Sequence, residues 1–488
     1  MDPHPYYGIE PEGNAWLVPN PPAVRAPGLG GMRVLNDTLV LELLAWADGP
    51  SLAALCVASG SLRCFASFEE LWKGVALERA AASGVPLRYS HSSWKATILE
   101  RERCDVTRRL FSDVLYHPQR LVAAGPLGRS IDASDRGSCA RAAAADLTVE
   151  RFVAEFETAG VPLIIEGGCG VDAAKPLWDR AELLSRFGDR RFHVGGHAFD
   201  LRAFLAYASA NNDEQPLYLF DSRFGEAAPE LLEEYEPACY FGDDLFDLLS
   251  EEGAERRPDK RWIIVGGARS GSAWHVDPNG CSAWNATLRG RKRWLFFPPS
   301  VTPPGVRRSA DGNDLVAPVS LAEWAHGFYA EARAHPRFVE ATTGPGDLVF
   351  IPRGWWHSVV NLDDYTVALT HNFCSPRGLA STLGLLRRAP HLVAGLAASK
   401  DDRLDECDST KETDRRAAMG TALHARFLRE LQRHRPDVLA AAEEQLLRPK
   451  SLWDRMTAPH AATGAAARDA GEAPAKKCKT AAFSFNFQ

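Results

Sequence analysis

Two hydrophobic periods divide the chain. Leu35, Leu39, Leu43 and Leu44 recur at helical spacing, Asp48-Gly49-Pro50 breaks the run, and Leu52, Leu55 and Leu62 resume it before Leu71 and Trp72 close the set. The pattern predicts a small helical module over residues 34–80. Residues 81–144 read as a helical linker region. In it Ser92-Ser93-Trp94-Lys95 opens a helix expected to end near Asp113, and Gly125, Gly128, Asp132 and Ser134 mark loop. A helix from Val149 to Ala159 and an apolar strand from Val161 to Gly167 follow. Further on come a strand from Pro216 to Asp221 and a turn into a short helix at Tyr240 to Asp244.

From Trp262 to Phe373 the apolar runs become short and are separated by Gly, Pro and Asn, and only Leu321 to Arg333 keeps a helical period. Many short strands of this kind predict a closed or sandwich-like all-β unit. Beyond Arg377 the helical period returns with Leu379, Leu383 and Leu386, then Leu423, Phe427, Leu428 and Leu431, so residues 379–458 are expected to be C-terminal helices. The charged stretch from Lys400 to Arg416 is expected to be an exposed loop. Residues 1–33, rich in Pro and Gly, and residues 459–488, rich in Ala and Gly, keep no apolar period and are expected to be a disordered leader and tail.

Composition narrows the class. A chain of 488 residues with 45% hydrophobic content is long enough for several packed units. A net charge of -7 gives no global positive field, so nucleic-acid binding is not indicated. No apolar run approaches the roughly 20 residues that span a bilayer, and the start Met1-Asp2-Pro3-His4-Pro5 is not a secretory leader, so no membrane association is expected. The ten Cys are scattered without a Cys-x-x-Cys pair, which predicts neither a disulfide framework nor a zinc knuckle and suits a reducing intracellular compartment. The expected location is nuclear and/or cytoplasmic, and Lys476-Lys477-Cys478-Lys479 is a short basic cluster read first as part of a solvated tail, with nuclear import as the alternative.

The chemistry concentrates between Arg269 and His357. On an extended strand residues two apart share a side, so His275 and Asp277 can offer an imidazole and a carboxylate to one ion. Turns at Gly344-Pro345-Gly346-Asp347 and Pro352-Arg353-Gly354 bracket a short apolar strand and lead to Trp355-Trp356-His357, whose imidazole is the candidate third ligand. Two His and one carboxylate on one face of an ion leave its remaining positions open, the arrangement of non-haem Fe(II) oxygenases. Lys292 shares a strand face with Trp294 and Phe296, which points its charge inward among aromatics, while Arg291 and Arg293 are expected to point outward. Trp355 and Trp356 are adjacent on a strand and cannot face one ligand, so they are expected to be core and rim and not an aromatic cage.

These residues, with Ser282-Ala-Trp284-Asn285-Ala, Lys292-Arg-Trp294, Pro345-Gly346-Asp347 and Gly354-Trp355-Trp356-His357, resemble the Jumonji-C family of iron and 2-oxoglutarate dioxygenases. The likeness covers residues 145–378 and is nearest to the subgroup of peptidyl-lysine hydroxylases and arginine demethylases. It implies a mainly β catalytic domain, a double-stranded β-helix of the cupin jelly-roll type, with Fe(II) on His275, Asp277 and His357 and with 2-oxoglutarate and dioxygen as cosubstrates. It further implies that Lys292 pairs with the distal carboxylate of 2-oxoglutarate and that Ser272, Asn285 and Thr370 contact the same molecule. Ser272 stands where the subgroup has Thr, which keeps the hydroxyl, and the turn at Asp363-Asp364 is one residue longer. Thr370 and Asn372 lie on the polar strand face, and His371 is expected to point away. Should Lys292 not be the cation, Arg269 and Arg353 are the alternatives.

The implied reaction is hydroxylation of a protein or peptide substrate, most directly at peptidyl lysine, or demethylation of methylated lysine or arginine. The N-terminal module resembles an F-box, with Leu35-Asn36 in place of the usual Leu-Pro opening. That implies a Skp-type adaptor as a partner and, as the alternative function, a substrate receptor of a cullin-RING ubiquitin ligase that uses the Jumonji-C domain for recognition; the other reading of the module is a helical cap with its Leu face packed on the next domain.

Overall fold

The computed structural model describes residues 28–100, 134–396 and 409–447, apart from interruptions at 36, 84–85, 90–92, 171–177, 212, 214, 250–255, 309–314 and 317–319. Most of the leader, the expected helix end near Asp113, the Gly125 to Asp132 stretch and the tail with Lys476 to Lys479 lie outside the described residues.

Fifteen strands are described. In chain order they are β1 Ala140–Ala143, β2 Leu163–Glu166, β3 Arg191–Val194, β4 His197–Asp200, β5 Leu219–Asp221, β6 Arg261–Gly266, β7 Gly271–His275 and β8 Ser282–Arg289. They continue as β9 Lys292–Phe297, β10 Arg307–Arg308, β11 Leu315–Val316, β12 Val339–Thr343, β13 Leu348–Ile351, β14 Trp356–Asn361 and β15 Thr366–Phe373. Nine form one sheet in the order β1-β2-β13-β8-β15-β6-β5-β3-β4, and four form a second in the order β12-β9-β14-β7. From β6 onward the chain crosses back and forth between them: β6, β8, β13 and β15 enter the large sheet while β7, β9, β12 and β14 enter the small one, with β9 and β12 following one another in the small sheet. This is the jelly-roll winding expected from the run of short strands. The inner faces are apolar, with Trp294, Phe296, Val349, Ile351 and Val359 packed in one cluster between the sheets.

The helix Leu321–Ala334 covers the outer face of the small sheet, where Trp324 and Tyr329 pack among Trp274, Phe297 and Trp356. Ser320 caps it by accepting a hydrogen bond from the Glu323 amide at 3.0 Å. At the C-terminal end the helices Leu379–Arg388, Ser409–His434 and Pro436–Leu447 form a separate apolar cluster in which Leu423, Phe427 and Leu431 are fully buried. The helix beginning at Ser409 takes in residues up to Arg416 read from the sequence as loop, and it is anchored by the buried Leu423, Phe427 and Leu431 downstream.

Several boundaries differ from the sequence reading. The sheet begins before residue 145: β1 pairs in parallel with β2, and Arg141 within it meets Glu166 at 3.0 Å. Ala-Arg-Ala-Ala is too short and too weakly apolar to show a strand period, and only its partner makes it one. The helix from Val149 passes into a π turn at Val153–Glu157. Strand β2 starts at Leu163, after Pro162, which has no amide to give to a ladder.

At the N-terminal end four helices, Asp37–Leu44, Gly49–Ala58, Gly60–Phe65 and Glu69–Ser83, carry the predicted leucines from Leu39 onward, while Leu35 precedes the first. Asp48-Gly49-Pro50 does break the first helix, and it also starts the next: Asp48 accepts from the Ser51 amide at 2.9 Å, and proline is tolerated in a first turn. These helices share one apolar cluster with the large sheet. Their junction with it is polar and buried: Lys73 meets Asp213 at 2.8 Å, and the Trp94 indole donates to the same carboxylate at 3.2 Å while stacking on Tyr207. Loss of either partner would leave a buried charge uncompensated in this junction.

Candidate active site

The small sheet brings two distant imidazoles face to face. Strands β7 and β14 are antiparallel neighbours in a register that sets His357 directly opposite His275, and their rings lie 4.1 Å apart between centroids. Asp277 follows immediately after β7, and its Oδ2 lies 3.8 Å from Nε2 of His357. One donor atom from each of the three falls within 4.8 Å of the others, a spacing that small side-chain rotations close around a single ion. Among the described residues this is the one such group of three or more His, Cys, Asp or Glu.

Several observations test whether the three residues suit a metal. Nδ1 of His275 lies 2.7 Å from the Ala273 carbonyl and Nδ1 of His357 lies 3.2 Å from the Trp355 carbonyl. A carbonyl only accepts, so each Nδ1 carries the proton and each Nε2 keeps a lone pair, the tautomer that metal ligation needs. Burial lowers both imidazoles to about 4, which keeps them neutral at pH 7, and in His275 the neighbouring His357 adds to the effect. Burial also raises the Asp277 carboxyl to about 6. Its Oδ2 is buried and accepts no hydrogen bond among the described residues. An orphaned buried carboxylate oxygen is costly by itself and is satisfied by a cation. The residues fit a divalent metal.

Lys292 opens β9 and is 2% exposed, with its ammonium 5.6 Å from the centre of the Trp294 ring. Burial alone lowers it, to about 7, and no carboxylate pairs with it among the described residues. A buried cation left without an anion marks a place for an anionic ligand. It lines the same cavity as His275, Asp277 and His357, together with Ser272, Asn285 and Thr370. Asn285 and Thr370 are cross-strand partners on β8 and β15 of the large sheet, facing Lys292 across the gap between sheets. The Asn285 Oδ1 is buried without a partner, whereas the Thr370 hydroxyl donates to the Trp284 carbonyl at 2.8 Å.

The neighbours of Lys292 divide. Arg291 is exposed and pairs with Asp363 at 2.7 Å, as its parity predicts. Arg293 points off the opposite face of the sheet but does not reach solvent: it is 1% exposed and pairs with Glu340 at 2.8 Å and Asp135 at 3.2 Å. The outward reading fails because the helix Leu321–Ala334 and the segment around Asp135 cover that face, and strand parity carries no information about a second layer. His371 does point away, into the core, where it meets the Tyr235 hydroxyl at 2.8 Å and stacks on Trp284. Trp355 and Trp356 separate as expected: the indole of Trp355 donates to the Gly160 carbonyl at 2.7 Å, and Trp356 packs beneath the covering helix. Arg269 is turned away, donating to the Asp213 carbonyl at 2.6 Å, and neither it nor Arg353 lines the cavity.

Sequence reasoning passed over two polar residues of the cavity wall, Tyr218 and Asn361. Tyr218 lines the cavity and its hydroxyl sits 3.2 Å from that of Ser272. Phe220, two residues on, stacks on Trp262 at 5.7 Å and completes an aromatic wall. The alternation of Tyr218 with Phe220 was the available signal, but only the pairing of β5 with β6 brings that wall to the metal residues.

The comparisons with known proteins agree with this geometry. A family model described as a cupin-like domain matches residues 197–377. An arginine-specific demethylase of Arabidopsis thaliana is 34% identical over 92% of this chain and 86% of its own length. A bifunctional arginine demethylase and lysyl-hydroxylase of Caenorhabditis elegans is 34% identical over 57% of this chain and 72% of its own. A human protein named a 2-oxoglutarate and iron-dependent oxygenase is 32% identical over 27% of this chain and 30% of its own. With its alternating two-sheet winding and a relative alike over nearly its whole length, the chain belongs to the cupin-like Jumonji-C family of iron- and 2-oxoglutarate-dependent oxygenases.

Proposed function

We propose that this protein is an Fe(II)- and 2-oxoglutarate-dependent dioxygenase that hydroxylates a protein side chain, at peptidyl lysine or at the N-methyl group of a methylated lysine or arginine. The observation that carries the reading is one cavity holding both the neutral two-His, one-carboxylate set and a buried lysine without an anion. His275, Asp277 and His357 hold the metal from one side and leave its other positions to ligands. With Fe(II) and 2-oxoglutarate held there, dioxygen would be the oxidant: one of its oxygen atoms would enter succinate as the cosubstrate loses carbon dioxide, and the other would become the hydroxyl that replaces a C–H hydrogen of the substrate. Lys292 holds the distal carboxylate, and Ser272, Tyr218, Asn285 and Thr370 orient the molecule by hydrogen bonds. The Tyr218, Phe220 and Trp262 wall keeps water from the reacting carbon. Hydroxylation at an N-methyl carbon gives a hemiaminal that sheds formaldehyde, so one site serves hydroxylation and demethylation alike. Anaerobic addition of Fe(II) and 2-oxoglutarate should produce a metal-to-ligand absorption band, and mass spectrometry of lysine- and methylarginine-containing peptides incubated with the aerobic enzyme should show added oxygen or lost methyl. No band with the wild-type protein would overturn the reading.

We also propose that the N-terminal helices dock a Skp-type adaptor. Leu39 and Leu43 from the predicted leucine run are exposed, and Trp46 and Val57 of the same module are exposed at 84% and 77%. Single exposed apolar residues are ordinary, but four on one small module give it apolar surface for a partner to cover. Capture of a purified adaptor by the full chain, lost in a Leu43→Asp, Trp46→Ala double variant, supports this. Equal capture by both, or none by either, returns the module to a helical cap on the catalytic domain.

A further inference from the structure

We infer that Asn279 is a positioning residue that aims the Asp277 carboxylate, by clamping the ligand loop to a strap from the C-terminal helices. The inference rests on the reading of His275, Asp277 and His357 as a metal site. The two His are held by strand pairing and by carbonyls at Nδ1. Asp277 has neither support: it lies past the end of β7, and its buried Oδ2 accepts no hydrogen bond among the described residues. Metal-ligating carboxylates are ordinarily fixed by hydrogen bonds from a surrounding shell. Here the backbone must do that work.

The loop is built for it. Asn279 sits in the left-handed region at φ 61°, ψ 13°, a conformation in which Asn is among the better tolerated residues, and Gly280 follows at φ 66°. The two reverse the chain within three residues of Asp277. Asn279 is 4% exposed, and its side-chain amide makes a reciprocal pair with the backbone of Ala394: Nδ2 donates to the carbonyl at 3.0 Å and Oδ1 accepts from the amide at 3.0 Å. Gly280 is pressed on the helix Leu379–Arg388, where a Cβ would stand 3.1 Å from the Ser381 backbone, and its carbonyl accepts from the Thr382 hydroxyl at 3.3 Å. The strap is itself anchored, since the Gly395 carbonyl accepts from the Asp259 amide at 2.8 Å. A residue 115 positions away in sequence therefore fixes the loop that presents Asp277.

Asn279→Gly keeps the left-handed backbone and removes both hydrogen bonds. Titration of Co(II) by calorimetry, with the cobalt absorption bands as a second readout, measures the site without turnover. Loss of an outer supporting contact commonly costs 10- to 100-fold in metal affinity, so Asn279→Gly should weaken Co(II) binding at least about tenfold while the melting temperature of the metal-free protein stays within a few degrees of wild type. His357→Ala serves as the reference for a lost ligand. Co(II) binding by Asn279→Gly equal to wild type, with binding lost in His357→Ala, overturns the clamp alone; equal binding by His357→Ala overturns the metal site. Should Asn279→Gly lower the metal-free melting temperature further, Gly395→Ala decides by the same affinity criterion. It lies outside the cavity, and its Cβ would stand 2.9 Å from the Asp259 amide and shift the strap.

Discussion

Lys292 offers the sharpest test of the site because its two roles predict different dependences on pH. Buried and without an anion it titrates at about 7, so above that pH the ligand-free protein increasingly holds a neutral amine. A 2-oxoglutarate carboxylate beside it favours the charged form and returns the group toward its ordinary value of 10.5. Binding must then restore a proton, and the apparent dissociation constant should rise with a slope approaching tenfold per pH unit above 7, about fiftyfold between pH 7 and 9. The stability of the ligand-free protein carries the same signature. Between about 7 and 10.5 the unfolded chain holds more protons at this lysine than the folded one, so stability rises with pH across that window. Lys292→Met should flatten this slope. Lys292→Ala removes the cation from a buried pair, a loss of roughly 3 to 5 kcal/mol, and should weaken 2-oxoglutarate binding at least about a hundredfold with Co(II) affinity nearly unchanged. Lys292→Arg keeps the charge but brings a wider planar head and should fall between. Titration of 2-oxoglutarate into the metal-loaded variants from pH 6 to 9 reads all of this. A pH-independent wild-type affinity, or an Ala variant within a few-fold of it, would refute the assignment.

His357→Ala should abolish succinate formation while leaving the circular dichroism spectrum intact, since it removes a donor at the mouth of the sheet pair and leaves the apolar layer; wild-type turnover by the variant would sink the triad. Metal affinity should fall as the pH drops below about 6, where Asp277 takes up a proton that the ion must displace. Because burial holds that carboxyl above its ordinary 3.8, the folded metal-free protein binds more protons than the unfolded chain between 3.8 and 6. Its contribution to stability is therefore lost as pH rises through that range, and calorimetric melting of Asp277→Asn should lack the effect. Asp213→Ala strands Lys73 in the junction between the N-terminal helices and the sheet, and should destabilise that junction by roughly 3 to 5 kcal/mol, read as earlier proteolysis of the N-terminal helices; unchanged proteolysis would mean that the ion pair does not hold the module.

The local elements and the chemistry were written in the sequence because both follow from near neighbours. Period separated the leucine helices from the short strands, and strand parity turned Lys292 inward with Trp294 and set Trp355 apart from Trp356. The donor set was legible because residue type and a two-residue spacing suffice to propose a ligand pair, and the motif around His357 supplied the third. Contacts made at long range were not legible. Ala140–Ala143 is a strand only because β2 lies beside it, Arg293 is buried only because a helix is laid over the sheet and the neighbouring strand β12 supplies Glu340, and Tyr218 reaches the cavity only through the pairing of β5 with β6. The same is true of Asn279, whose partner Ala394 belongs to the C-terminal segment. Periodicity records which side of its own element a residue occupies. What stands on that side, solvent or another layer, is settled by packing between segments far apart in the chain, and that decided which buried polar groups found partners and which were left facing the cavity.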